Sequence, residues 1–269
     1  MTARARAATS TNEAILLRED AQGVARLTLN RPDTRNSLSS ELLQELQAAL
    51  DALKDDASVQ AVVLAANGPV FCSGHDLNEL RAKPERRFYQ DIFAQCSRVM
   101  TSITKLPKPV IARVQGSAAA AGCQLVATCD LAVASSEARF CTPGVHIGLF
   151  CSTPMVALSR NVGRKQAMEM LLTGDAIGAE QAAAFGLVNR VVPPGGLDEA
   201  VAEFTRKITS KSPMILAIGK EAFYRQLEMG LEEAYAYASE VMTENMLARD
   251  AAEGIDAFLE KRTPVWEGR

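Results

Sequence analysis

Histidine is scarce in this chain: His75 and His146 are the only two in 269 residues, and tryptophan occurs once. That is too little imidazole for a histidine-based metal centre. Six cysteines are present (Cys72, Cys96, Cys123, Cys129, Cys141 and Cys151), but no CxxC pair is among them. Their apolar surroundings read as buried free thiols of a reducing compartment rather than as disulfides or zinc ligands. No apolar run approaches the roughly 20 residues of a membrane helix, so no membrane span is expected. A net charge of −3, with the basic residues spread along the chain, argues against a nucleic-acid face. The first twelve residues, MTARARAATSTN, carry two arginines, no acid and no apolar stretch for secretion. They read as a flexible tail over 1–12 and the chain as cytoplasmic. The alternative is a presequence remnant and the mitochondrial matrix.

What is present is an ordinary globular mixture, 48% hydrophobic and 23% charged. GVARLTLNRP (23–32) alternates apolar and polar residues and stops at Pro32, as a half-buried strand does. Ser39 or Ser40 can cap the helix that follows, whose leucines and alanines recur at three and four. VQAVVLAAN (59–67) is continuously apolar, as expected of a strand covered on both faces. After a loop, one helical stretch is expected over about 76–105. The order then repeats: strand 109–116, a short helix in AAGCQLVATCD, strands in LAVAS and ARFCTP. Helices are expected over 153–172, 179–185, 197–211 and 213–261, the last broken at Pro213 and Gly230, with a strand over 186–192. Alternation of this kind predicts an α/β layered domain.

Two loops stand out. GPVFCSGHDLNEL (68–80) and QGSAAAAGCQL (115–125) each follow a buried strand and open a helix, with residues small enough for a ligand to reach the main chain. Helix N-termini at the carboxyl ends of strands are where an α/β sheet offers a site. Backbone N–H groups there can hold an oxygen that becomes an oxyanion, and removing one such donor costs about 10²–10³ in rate. Small-residue turns of this kind also occur without function, so pattern alone leaves both readings open.

FCSGHDL, then PVIARVQG with SAAAAGCQLVATCDLAVAS, ARFCTPGVHIGL and MEMLLTGDAIGAEQAAAFGLVNRVVP together resemble the enoyl-CoA hydratase/isomerase (crotonase) superfamily, in matching order from about residue 14 to 267. The resemblance implies a spiral of ββα units over 13–195 and a C-terminal helical region over 196–269 used for trimerisation, as a homotrimer or hexamer. It implies a coenzyme A thioester as substrate or ligand, in fatty acyl-CoA metabolism, with no covalent cofactor. The thioester oxygen would accept from the backbone N–H groups of His75 and Ala121. By position, Arg35, Asn36, Ser37, Ser73, His75, Asp76 and Leu77 would line the acyl-CoA site. Phe258 and Lys261 match tail residues that approach the nucleotide, often from a neighbouring subunit.

The chain departs from the family where its hydratases carry two glutamates: those positions are Gln124 and Gly144. Glutamine orients a water but cannot take its proton, and glycine offers nothing. Losing general acid–base help costs about 10²–10⁴ per group, so efficient hydration is not expected. Three readings follow. One is an acyl-CoA enzyme of weak or divergent activity. The second is a non-catalytic acyl-CoA binder or regulator. The third is a divergent isomerase or thioesterase that uses His75 or Cys151, with Ser152 beside it and His146 the nearest imidazole in sequence. The plain alternatives are a packed His75, a buried structural Cys151 and an Asp76 that caps a helix.

Overall fold

The computed structural model describes residues 14–269; the expected tail over 1–12 lies outside them. The chain opens with β1 (Leu16–Ala21) and β2 (Val24–Leu29), paired antiparallel with Leu16 opposite Leu29. It continues into α1 (Ser40–Lys54). The Ser39 hydroxyl accepts from the Leu42 N–H at 3.2 Å, fixing the start of α1. Leu42, Leu43, Leu46, Leu50 and Leu53 then recur at helical spacing and are all buried.

Three similar turns follow. The first holds β3 (Ala61–Ala66), β4 (Val70–Cys72), α2 (Leu77–Ala82) and α3 (Arg86–Lys105). The second holds β5 (Val110–Val114), β6 (Ser117–Ala119) and α4 (Ala121–Thr128). The third holds β7 (Leu131–Ser135), β8 (Arg139–Cys141) and α5 (Pro154–Leu158). Beyond them lie α6 (Arg164–Thr173), β9 (Ile177–Gly178), α7 (Ala179–Ala184) and β10 (Arg190–Val192), then α8 (Leu197–Thr209), α9 (Pro213–Gln226), α10 (Leu231–Leu247) and α11 (Arg249–Glu260). One six-stranded sheet runs β1-β2-β3-β5-β7-β10 and a four-stranded sheet runs β4-β6-β8-β9. Each turn therefore lays one strand in each sheet before returning through helix, which is the expected ββα spiral. Inside both sheets the neighbours are parallel; only β1 and β9 pair antiparallel, at the edges.

Every residue of β3 is buried, as its unbroken apolar run predicts. Its Val63, with Ile111 and Val133, packs under Leu197, Ala200 and Val201 of α8, while the other face joins the main core.

Several expectations need correction. The helix expected over 76–105 is two helices, because Pro84 disfavours helical backbone at Lys83 before it. The stretch 153–172 also splits, at a turn that ends in Gly163. The strand expected over 186–192 shortens to β10. β1 and β4 carried no clear signal: β1 is an exposed, charged edge and β4 has three residues. The last helical stretch breaks at Gly230 as expected, and also at Ala248. Among the described residues, no helix is long and apolar enough to cross a membrane.

Candidate active site

The two loops singled out in the sequence are neighbours. β4 and β6 run parallel, Val70 opposite Ser117 and Cys72 opposite Ala118, so α2 and α4 start side by side at the carboxyl end of the small sheet. Glycines allow the main chains to touch. A Cβ on Gly122 would sit 2.2 Å from the Cys72 carbonyl oxygen, and one on Gly116 would sit 1.9 Å from that of Pro69. A Cβ on Gly74 (φ +95°) would lie 3.4 Å from the Ala121 nitrogen, which puts the 74–75 and 120–121 peptides against one another. Neither the His75 nor the Ala121 N–H has an acceptor among the described residues. Their neighbours do: the Asp76 N–H donates to the Leu38 carbonyl and the Ala120 N–H to that of Cys141.

Ala120 is held at φ 49°, ψ −117°, a conformation that glycine tolerates and alanine resists. Such a residue costs of order 1–3 kcal/mol and persists only where its surroundings enforce it. Here it turns the chain from β6 into α4 and leaves the Ala121 N–H without an acceptor among the described residues. A run of four alanines gives no sign of this.

Loop 35–38 is laced onto the first of these loops. Ser73 N–H donates to the Arg35 carbonyl, and Leu38 N–H to that of Gly74. Arg35 and Asn36 both take positive φ. The Asn36 side chain, fully buried, accepts from the Arg31 N–H and donates to the Asn67 and Val70 carbonyls at 2.8 Å each. That amide is a bracket inside the protein and has nothing left for a ligand. Asp76 caps α2 through the Asn78 and Glu79 N–H groups, and also accepts from Ser37 Oγ and Arg31. Burial pushes its pKa up, but the Glu79 N–H, the Ser37 hydroxyl and Arg31 outweigh it and hold the carboxyl below its ordinary value. Leu77, the first residue of α2, is exposed.

His75 lies edge-on to Phe93, ring centroids 5.3 Å apart, and both its ring nitrogens are buried without a partner. Burial pushes its pKa below the usual value, which keeps the imidazole neutral at pH 7. The Leu38 carbonyl partly opposes that shift without a well-formed hydrogen bond. Gln124 is buried in α4, and its Oε1 also has no partner.

Gly144 lies in a short 3-10 turn, Pro143–Ile147. A Cβ there would be 2.9 Å from the Leu149 carbonyl oxygen and 3.0 Å from Cys151 Sγ. Main chain and a thiol therefore fill the space beside Gly144. Burial raises the Cys151 pKa against a weaker opposing effect of the Gly144 N–H, which leaves a protonated thiol. The His146 Nε2 bonds the Thr173 carbonyl at 2.8 Å. Ser152 Oγ donates to its neighbour's carbonyl, that of Phe150. Phe258 and Lys261 are exposed on and just after α11. Phe258 lines an apolar cavity of about 610 Å³ with Ile215, Met246, Ile255 and Trp266, to which neither loop contributes.

The model of the enoyl-CoA hydratase/isomerase family matches residues 19–269. The human enoyl-CoA hydratase domain-containing protein 3, mitochondrial, is 48% identical over 244 residues, which are 91% of this chain and 80% of that protein. The 2,3-dehydroadipyl-CoA hydratase of Escherichia coli (strain K12) is 36% identical over 92% of this chain and 96% of its own length. The crystal structure of an enoyl-CoA hydratase from Mycobacterium smegmatis superposes with a TM-score of 0.93 at 55% identity, covering 94% of this chain and 99% of that one. That of the human domain-containing protein 3 gives 0.92 at 46% identity, covering 94% and 100%. With the spiral, the paired loops and these relatives in agreement along its length, the chain belongs to the enoyl-CoA hydratase/isomerase family.

Proposed function

We propose that the chain binds acyl-CoA thioesters, with the thioester oxygen accepting from the N–H groups of His75 and Ala121. The observation that carries this reading is the pair of unpartnered main-chain donors on adjacent peptides, held there by the Gly122 contact with Cys72 and by the strained Ala120. An enolate or tetrahedral oxyanion would gain most from such donors. Efficient hydration of a 2-enoyl thioester is not part of the reading, because Gln124 and Gly144 supply neither a base nor an acid. A non-catalytic binder remains compatible with the same donors. For divergent acid–base chemistry the neutral imidazole of His75 is the better candidate, since burial holds Cys151 as a thiol.

Self-association as a trimer or hexamer is the second part of the reading, supported by the apolar residues left exposed on α9, α10 and α11. The relatives whose names carry the word mitochondrial favour the mitochondrial alternative over the cytoplasm. The test is incubation of the pure chain with saturated, 2-unsaturated and 3-unsaturated acyl-CoAs, read by mass spectrometry with binding in parallel. Binding is expected throughout, with hydration of crotonyl-CoA slow or absent. Rapid hydration would show that Gln124 and Gly144 do not disable that chemistry, and no binding at all would overturn the acyl-CoA reading.

A further inference from the structure

α11 is held to the molecule in an unusual way. Its only buried residues are Asp250 and Ala257, while its large apolar side chains, Ile255, Phe258 and Leu259, are exposed. Helices normally take their stability from a buried apolar face, and this one buries a carboxylate instead. What fastens it is the tail that follows, residues 262–269. Arg262 grips both oxygens of Glu253 at 2.6 and 2.9 Å, and the Val265 N–H donates to the same carboxylate at 2.7 Å. Asp250 accepts from the Glu267 and Gly268 N–H groups at 2.7 and 3.0 Å, and its own N–H donates to the Arg269 carbonyl. Bonds to a carboxylate are the stronger kind, and two carboxylates one turn apart take up most of the tail.

The tail also reaches past α11. Trp266 Nε1 donates to the carbonyl of Ser210, which caps the end of α8, at 2.9 Å. Its ring lies on Gly254, where a Cβ would be 3.2 Å from the nearest ring carbon. Asp250 accepts in addition from Ser212, the N-cap of α9. At its other end α11 joins α10 through the single extended residue Ala248 (φ −67°, ψ 144°), so two dihedrals set the angle between the helices. Ile255 and Phe258 of α11 and Trp266 of the tail line the apolar cavity of about 610 Å³ together with Ile215 and Leu216 of α9 and Met246 of α10. α9 stays in place through the ion pair of Lys220 with Asp130.

We infer that α11 is a movable wall of this cavity, hinged at Ala248 and closed by residues 262–269 acting as a latch. Segments with little buried apolar surface and many polar ties open locally, below the free energy of global unfolding. Release of the latch swings α11 on Ala248 and opens the cavity to solvent, with both sheets left intact. The inference is independent of the acyl-CoA reading, since its test uses no thioester.

Trp266 is the only tryptophan in the chain, so its fluorescence reports the latch alone. In urea the full chain should show the tryptophan transition at lower concentration than the loss of helical circular dichroism. Coincident transitions would mean that tail and core unfold as one unit and would overturn the latch. A tryptophan midpoint that moves with tenfold dilution of the protein would assign the change to subunit dissociation, and would overturn it too. Asp250→Asn should speed amide exchange in α11 at least tenfold while leaving α1 and β3 at their wild-type rates. Unchanged exchange in α11, or equal acceleration in α1 and β3, counts against the proposal. Should Asp250→Asn fail to fold, the wild-type transitions and the same exchange measurement on Glu253→Gln decide.

Discussion

At the scale of single residues, the candidate site is made by backbone geometry and by two side chains without partners. Gly122→Ala drives a Cβ into the Cys72 carbonyl, 2.2 Å away, where neither main chain can yield easily. Overpacking against backbone of this kind should cost about 2–3 kcal/mol in urea unfolding. Ala120→Gly should do the reverse, adding about 1 kcal/mol by relieving a positive φ, less the entropy glycine gains in the unfolded chain. A loss of stability in Ala120→Gly would mean that the alanine methyl matters more than the strain. His75 gives a pH signature. Its folded pKa lies below the usual 6.5, so the unfolded chain binds the extra proton first as pH falls. The contribution of the neutral imidazole is complete above about pH 6.5 and is lost as pH drops toward the folded value. Wild-type stability measured against His75→Phe should therefore fall between pH 7.5 and 5. Asp76, whose pKa is also lowered, acts below about pH 4 and does not enter that window.

At the scale of elements, the sequence was most legible where one period ran uninterrupted. The leucines of α1 and the apolar run of β3 each had one reading, because a buried helix face and a doubly covered strand impose different spacings. The short elements were not legible. Three residues of β4 or β6 carry no period, yet those two strands aim the loops of the site. The break at Ala248 had no proline or glycine to announce it; it brings Asp250 under the C-terminal residues, where its carboxylate accepts from the Glu267 and Gly268 N–H groups. α9 is fastened to the core by a buried ion pair: Lys220 Nζ reaches Asp130 at 2.7 Å and the Ile103 and Lys108 carbonyls at 2.9 Å. Asp130 also accepts from Tyr224 and the Val110 N–H. Removing one partner of such a pair strands the other, so Lys220→Met should cost about 3–5 kcal/mol and loosen α9 to hydrogen exchange. A cost below about 1 kcal/mol would show that α9 is held by other contacts.

At the scale of the whole molecule, the C-terminal helices look unfinished. α9 and α10 bury no residue fully, and Leu231, Tyr235, Met242 and Met246 lie on one exposed face of α10, Leu231 at 74% exposure. Contiguous apolar surface on this scale marks an interaction site. Sedimentation should find three or six chains in the particle, and Leu231→Glu with Tyr235→Glu should shift it to smaller species. A wild-type monomer would refute the oligomer.

The sequence by itself determined the alternation of strand and helix, the buried character of β3 and the two loops worth watching. Each of these depends on spacing along the chain, which is what a sequence records. Only the tertiary structure decided that the loops lie side by side, that Ala120 is strained, that the His75 ring nitrogens and Gln124 Oε1 are buried without partners, and that Leu149 and Cys151 crowd Gly144. Those facts depend on distances between residues far apart in the chain, and the pairing of β4 with β6 sets them.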